Sequence, residues 1–364
     1  MRLPGWMPVT YKAPWCSYPD PIEPESGLTR SDLIPRRRGI QMRAMQLTAE
    51  GGPESLAPVE LPTPEPGPGE LLLDVRAAGV SFPDVLLSRG RYQLRPPLPF
   101  TPGSEVAGFV LQAPPGSGFA RGDRVAAFAM LGGFAEQAVV PAVNAYLLPD
   151  TVDFVHGAAL PMNYLTVQFA LSRRGRLAAG ETVLVHGAAG GVGTAALQWA
   201  KWLAAETIAV VSDAGKVETA RSAGADHVIG VENFRQEARA LTDGRGVDLI
   251  LDPVGGDRFT DSLRTLAPEG RLLVVGFTAG EIPTVRVNRL LLNNLDVVGV
   301  AWGAFALGTP GYLAQQWADL DAGISSGVLD PPVGAVLPLA QAGDALAELE
   351  QRRVRGKIVL DLEA

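Results

Sequence analysis

At 364 residues, 47% hydrophobic and with 42 glycines, the chain is too long for one ordinary core and is expected to fold as two domains of a globular protein. Its 31 basic and 39 acidic residues leave a net charge of -8, which gives no positive field to hold a phosphodiester backbone and excludes nucleic acid as a partner. The lone Cys16 rules out a disulfide within the chain and suits a reducing compartment, so the expected location is cytoplasmic.

Residues 1–42 carry Pro4, Pro8, Pro14, Pro19, Pro21 and Pro24, a basic run at 36–38 and no apolar core of the kind a secretory signal needs. A disordered extension is expected there, with Met42 a second candidate start. From Arg43 to about Leu148, short runs such as LLLDVRAAGV, EVAGFVLQA, DRVAAFAM and FAEQAVVP are cut by PTPEPGPGE, PPLPFTPG and APPGSG. Short strands between Pro and Gly turns predict an irregular β-barrel or sandwich. The uncharged window 154–172 is about long enough to span a bilayer. Pro161 interrupts it, and His156, Asn163 and Gln168 would need partners in lipid, so it reads as a buried segment and not a membrane span.

Beyond that window the texture changes, because apolar runs now alternate with helix-like stretches. TVLVHG, ETIAVVS, HVIG, VDLILDPV, RLLVVGF and LDVVGVAW predict six strands with intervening helices, which is an α/β doubly wound parallel sheet. From Gly311 the chain is expected to return to the first domain through the helical stretch AGDALAELEQRR and the strand GKIVLDL.

The first strand of that sheet runs straight into HGAAGGVGTAALQWAKWL, the context a dinucleotide fingerprint requires. Ala188 takes the place of the first Gly of G-x-G-x-x-G. Gly190 would let the backbone approach a pyrophosphate, and Gly193 would let helix and strand pack closely. With Gly191 and Val192, they open a helix whose free N–H groups and partial positive charge suit phosphates. About twenty residues on, where an NAD site carries an acidic side chain, stands Val211. Ser212 and Lys216 could instead receive the extra phosphate of NADP, with Asp213 expected as a solvent-facing cap. The cofactor expected is NADPH.

Together, AAGVSFPDVLLSRGRYQ, GGFAEQAVVP, LPMNYLTVQFAL, AAGGVG and LDPVGGDRF resemble the zinc-free quinone oxidoreductase (zeta-crystallin-like) branch of the medium-chain dehydrogenase/reductase superfamily. The resemblance covers about 43–362. It implies a GroES-like substrate domain at 43–165, a Rossmann dinucleotide-binding domain at 166–310, a return to the GroES-like domain at 311–364, a cleft between them, and a homodimer. Zinc-dependent members of the superfamily place a Cys and a His where this chain has Ser81 and Ser104. With one Cys and three scattered His the chain is not expected to assemble a zinc site, and His156, His186 and His227 are expected to be packed or hydrogen-bonded.

By the same resemblance, Tyr92 lines the substrate cleft, and Ser81 replaces an Asn that contacts cofactor and substrate. Thr166 lies near the nicotinamide beside Asn163 and Tyr164. Gly276 and Phe277 close the cofactor site at the sheet's carboxyl edge, Arg352 approaches the cofactor phosphates, and Asp84 secures its loop. The implied function is NADPH-dependent, metal-free hydride transfer to quinones or other α,β-unsaturated carbonyls. An alternative is a 2-enoyl thioester reductase, motivated by Arg89, Arg91, Arg95, Arg286 and Arg289. Another is a non-catalytic NADPH-binding structural or sensor protein.

Overall fold

The computed structural model describes residues 41–364. The expected extension, with Cys16 and the basic run, therefore lies almost wholly outside the described residues. Its last two residues do not belong to it. Strand β1 (Gln41–Leu47) pairs antiparallel with β2 (Leu56–Pro62), Gln41 opposite Pro62 and Met42 opposite Leu61. Met42 is buried with Ala44 and Ala135 against Val59 and Leu61, and this tertiary burial is what draws the strand's start back to residue 41.

The first sheet collects β3 (Glu70–Val80), β4 (Glu105–Gln112), β5 (Arg124–Phe128), β6 (Gln137–Pro141) and β7 (Ala145–Leu147). Period-two positions Leu71, Leu73 and Val75, Val106 and Val110, Val125 and Ala127, and Ala138 and Val140 share one core. Two strands from the far end of the sequence complete this seven-stranded sheet: β14 (Val333–Pro338) pairs with β15 (Lys357–Asp361), and β15 lies antiparallel to β3.

Between these halves stands a six-stranded sheet of β8 (Thr182–His186), β9 (Glu206–Val211), β10 (His227–Gly230), β11 (Val247–Asp252), β12 (Leu266–Val274) and β13 (Asp296–Gly299). Its order is β10-β9-β8-β11-β12-β13 and every pairing is parallel. The order reverses between β8 and β11, which is where ligands bind in open α/β sheets. Both faces are covered, so the strands read as continuous apolar runs: Val183 and Val185 point to one core, Leu184 and Ile250 to the other.

The first domain boundary falls elsewhere than expected. A break at 165 would cut the helix Pro161–Gln168, which packs on the helix Gly191–Trp202 of the second domain, whereas the preceding helix Phe154–Ala158 packs on β3 and β4. Beyond 311 the chain touches both domains: Trp317 stacks on Tyr146 of β7, ring centroids 4.4 Å apart. Helix Tyr312–Ser325 shares a core with Leu165 and Phe169 and is tied to the helix Pro161–Gln168 by Gln316 Nε2 donating to Leu165 O at 2.9 Å. The chain rejoins the barrel sheet at β14. Among the described residues no helix is long and apolar enough to cross a membrane.

Candidate active site

The fingerprint turn leaves β8 at Gly187, whose φ of 60° is the left-handed value that favours glycine. The tight turn that the first Gly of the motif makes is thus taken one residue before Ala188. Gly190 caps the helix Gly191–Trp202, and the first helical bond runs from Thr194 N to Gly190 O at 2.8 Å. The amides of Gly191, Val192 and Gly193 precede that ladder. A Cβ at Gly193 would lie 2.3 Å from Gly187 O and 2.6 Å from Ala188 Cα, whereas one at Gly190 would meet nothing nearer than Gly187 O at 3.4 Å. The space over Gly190 is therefore open, and these residues fit a pyrophosphate.

At the outer end, β9 delivers Val211 and then Ser212. Lys216 Nζ donates to Ser212 Oγ and to Arg352 O, each at 3.0 Å, so three of the expected cofactor residues meet. Arg352 contributes its carbonyl; its φ of 58° turns the backbone toward Lys216. Asp213 stands at the N-cap of the turn 214–216 with its side chain 53% exposed, but it makes no cap hydrogen bond. It accepts from Ser212 Oγ at 2.9 Å and lies 3.5 Å from Lys216 Nζ, and the Ser212 hydrogen bond leads the causes that lower its carboxyl's pKa. A nearby cation outcompetes the helix N–H groups it would otherwise cap. Arg355, which no motif singles out, reaches the same place: a Cβ at Gly215 would stand 2.7 Å from its Nη2.

Helix Pro161–Gln168 carries the residues expected near the nicotinamide. The Asn163 side chain lies against the fingerprint, its Nδ2 2.5 Å from where a Cβ on Gly191 would be. Thr166 is half-buried, but Tyr164 is fully buried and donates to Gln198 Oε1 at 2.6 Å, which removes it from any cleft. Gly276 and Phe277 follow β12, in a loop held by Thr278 N and Ala279 N donating to Pro253 O and Val254 O at 3.1 and 2.9 Å. The histidines are held by neighbours: His156 Nδ1 is 2.9 Å from Asp153 Oδ1, His227 Nε2 is 3.3 Å from Glu206 Oε1, and His186 Nε2 is 2.8 Å from Ser262 Oγ. Burial pushes the His186 pKa down to about 3 and keeps it neutral.

On the substrate side, β3 ends at Val80 and Ser81 starts the helix Phe82–Ser88, with Asp84 Oδ2 accepting from Ser81 N at 2.9 Å in a capping box. Asp84 Oδ1 also accepts from Gly103 N at 3.2 Å, so this carboxyl pins two loops. Tyr92 is half-buried. Its hydroxyl pKa is raised, first by burial and then by the Asp84 charge. Strand register explains what surrounds Ser81. Glu105 is paired with Gly79 and Ile358 with Val80, so the first residues of β4 and β15 flank the end of β3. Ser81 Oγ donates to Glu105 Oε1 at 2.8 Å and accepts from Lys357 Nζ at 2.7 Å, and Lys357 also pairs with Glu105. Glu105 and Lys357 were not anticipated.

Residues 67–150 match the family model of the alcohol dehydrogenase GroES-like domain, and residues 191–318 that of the zinc-binding dehydrogenase. The rat quinone oxidoreductase-like protein 2 is 36% identical over 301 residues, covering 82% of this chain and 86% of the relative. The chain belongs to the quinone oxidoreductase branch of the medium-chain dehydrogenase/reductase superfamily. A probable oxidoreductase from Mycobacterium abscessus, 44% identical, superposes with a TM-score of 0.82 over 89% of this chain and 100% of its own. The Escherichia coli quinone oxidoreductase, solved in complex with NADPH, is 32% identical with a TM-score of 0.80 over 88% and 99%.

One of those family models is described as zinc-binding; among the described residues no group of three or more His, Cys, Asp or Glu stands together to hold a metal ion. Zinc needs lone-pair donors around an open position. Here Ser81 Oγ accepts from an ammonium, and the cation beside it would repel a metal ion. Arg89, proposed for a thioester's phosphates, is engaged instead by Glu350, through Nε and Nη2 at 2.9 Å each, and by Glu54.

Proposed function

We propose that this oxidoreductase reduces quinones or other α,β-unsaturated carbonyls with NADPH and without a metal. The observation that supports this reading best is the donor set on the substrate side: the hydroxyls of Ser81 and Tyr92, beside an ion pair and not a set of metal ligands. NADPH, when bound, supplies the hydride. In this reading Gly190, Gly191, Val192 and Gly193 hold the pyrophosphate, Thr166, Gly276 and Phe277 border the nicotinamide, and Ser212 and Lys216, with the guanidinium of Arg352, receive the adenosine phosphate. Ser81 and Tyr92 meet the acceptor's oxygen. A quinone suits such modest donors because its reduced form spreads charge over the ring.

With NADPH saturating, simple quinones are expected to show a higher kcat/KM than 2-enoyl thioesters. Tyr92→Phe should cost less than about tenfold, or 1.4 kcal/mol, because a hydroquinone oxygen can take its proton from water. Preference for thioesters, with a loss of about a hundredfold or more in Tyr92→Phe, would replace this reading by enoyl reduction. The occupied Arg89 weighs against that alternative.

Lys216 bears on the cofactor. NADPH is expected to bind at least about tenfold tighter than NADH, a difference of about 1.4 kcal/mol, and Lys216→Ala to remove most of it while leaving NADH affinity alone. Equal affinities in the native chain, read by fluorescence titration, would sink the assignment. Asp213 must turn away from Lys216 to admit the phosphate, so Asp213→Asn should tighten NADPH.

The reading includes a cytoplasmic homodimer. Strand β13 is an edge strand, and Ile282, Val287, Leu291 and Leu292, near it in sequence, are 70–77% exposed. An open edge beside apolar side chains suits a second copy of the chain. Sedimentation should give a dimer that Leu291→Glu with Leu292→Glu converts to monomer; a native monomer would refute this.

A further inference from the structure

Lysine is almost never fully buried, and a buried ion pair is weak evidence of stabilisation, since desolvation offsets most of its attraction. Lys357 and Glu105 are 4% and 0% exposed in their side chains, and both belong to the wall around Ser81. Their bonds join four segments. Lys357 opens β15, Glu105 opens β4, Ser81 precedes the helix Phe82–Ser88, and Glu105 Oε2 accepts from Met162 N at 2.8 Å in the first turn of Pro161–Gln168. Just before Lys357, Gly356 N donates to Ala189 O of the fingerprint turn at 2.7 Å. The cation therefore stands where the two domains meet.

We propose that the Lys357 ammonium is a fixed positive charge of the acceptor site, acting through Ser81 on the oxyanion that reduction creates. This rests on the reductase reading above. Lys357 is a positioning residue: its Nζ bonds Ser81 Oγ, and Ser81 touches the acceptor. In the resting chain the single hydroxyl hydrogen of Ser81 points to Glu105. An oxyanion in the cleft competes for it, and rotation about one bond delivers it while Lys357 keeps both partners. A hydroxyl that accepts from a cation is a stronger donor, and a charge in a dry wall acts at short range with little screening. The Met162 N–H at the start of its helix holds Glu105 Oε2, so only Oε1 faces Ser81 and competes with the oxyanion for its hydrogen. The acceptor gains a hydride, two electrons with one proton, and is left with an oxyanion; NADPH becomes NADP+. The oxyanion then takes a proton from water, and Lys357 gives none up.

The test needs no hydride. Full-length chain without cofactor is titrated with 4-nitrophenol, whose ionised form is coloured. In the native chain the bound phenol is expected to ionise at least one pH unit below the free compound. Lys357→Met should lose at least tenfold in phenolate affinity, Lys357→Arg should retain it, and Glu105→Gln, which keeps the cation and frees the hydroxyl, should hold or raise it. A purely structural ion pair predicts instead that Lys357→Met and Glu105→Gln fall together. That result, unchanged affinity in Lys357→Met, or no preference of the native chain for phenolate overturns the proposal. If Lys357→Met does not fold, Glu105→Gln decides, and a fall there is fatal. Quinone turnover by the native chain is measured separately, so a chain that binds phenolate as expected but reduces no quinone refutes the reductase reading alone.

Discussion

Gly193→Val is expected to abolish cofactor binding, weakening NADPH by at least about a hundredfold, or 2.7 kcal/mol. The smallest side chain already fails there: a Cβ would lie 2.3 Å from Gly187 O, 2.6 Å from Ala188 Cα and 2.7 Å from Ala188 C. All three are backbone atoms of the turn, so neither rotamer change nor side-chain movement relieves the contact. The helix must back away, carrying the amides of Gly191 and Val192 with it, and overpacking of this kind costs about 1–3 kcal/mol in stability. Gly190→Ala separates the two effects. Its Cβ meets nothing nearer than 3.4 Å in the chain, so NADPH should weaken while the melting temperature holds. Native NADPH affinity in Gly193→Val would mean that this turn does not carry the pyrophosphate.

Relative to Asp84→Asn, the native chain is expected to lose stability steadily as pH rises through the acidic range. Burial lifts the Asp84 carboxyl from 3.8 to about 7, against the opposing pull of the Ser81 N–H, the Lys357 charge and the Gly103 N–H. Between those values the folded chain binds a proton that the unfolded chain has released. The contribution is complete below pH 3.8, declines as pH rises, and is lost above about 7. At about 1.4 kcal/mol per unit this is on the order of 4 kcal/mol. Asn does not titrate, so its fixed loss of one acceptor adds a constant and no slope. His186 acts in the opposite sense, since a value lowered from 6.5 to about 3 removes stability as pH falls. It is present in both chains and cancels from their difference. Urea unfolding of the two chains across pH provides the measurement, and a flat difference would contradict a raised Asp84.

The parallel sheet was legible because strands covered on both faces must be apolar throughout, and TVLVHG and VDLILDPV announce this without knowledge of the fold. The fingerprint was legible for a similar reason, since its glycines answer to contacts within a few residues. What depended on distant pairing was not. GKIVLDL reads as a strand, and nothing local says that its lysine will face Glu105, 252 positions away. The signal that could have found it is a charge opening a buried run in both EVAGFV and KIVLDL, and it becomes informative only once β3 is known to lie between them. Asp213 keeps an exposed place at its cap, but its pairing with Lys216 is not legible locally, because that cation is fixed partly by the distant Arg352 carbonyl. The place of Tyr312–Ser325 was not legible, because its apolar face says that the helix packs without saying that it will touch both Leu165 and the barrel's Tyr146.

The strand β15 lies between β14 and β3 in the barrel sheet, although the whole six-stranded unit separates β7 from β14 in the chain. During synthesis, domains generally form in the order in which they emerge. This chain inverts that order: the barrel begins first and finishes last, with the 77–80 part of the β3 edge, beyond the stretch that β6 covers, waiting unpaired throughout translation of the second domain. Any message cut short before β14 would leave that edge permanently open to other chains, so early termination here would yield an aggregation hazard instead of a shorter working enzyme.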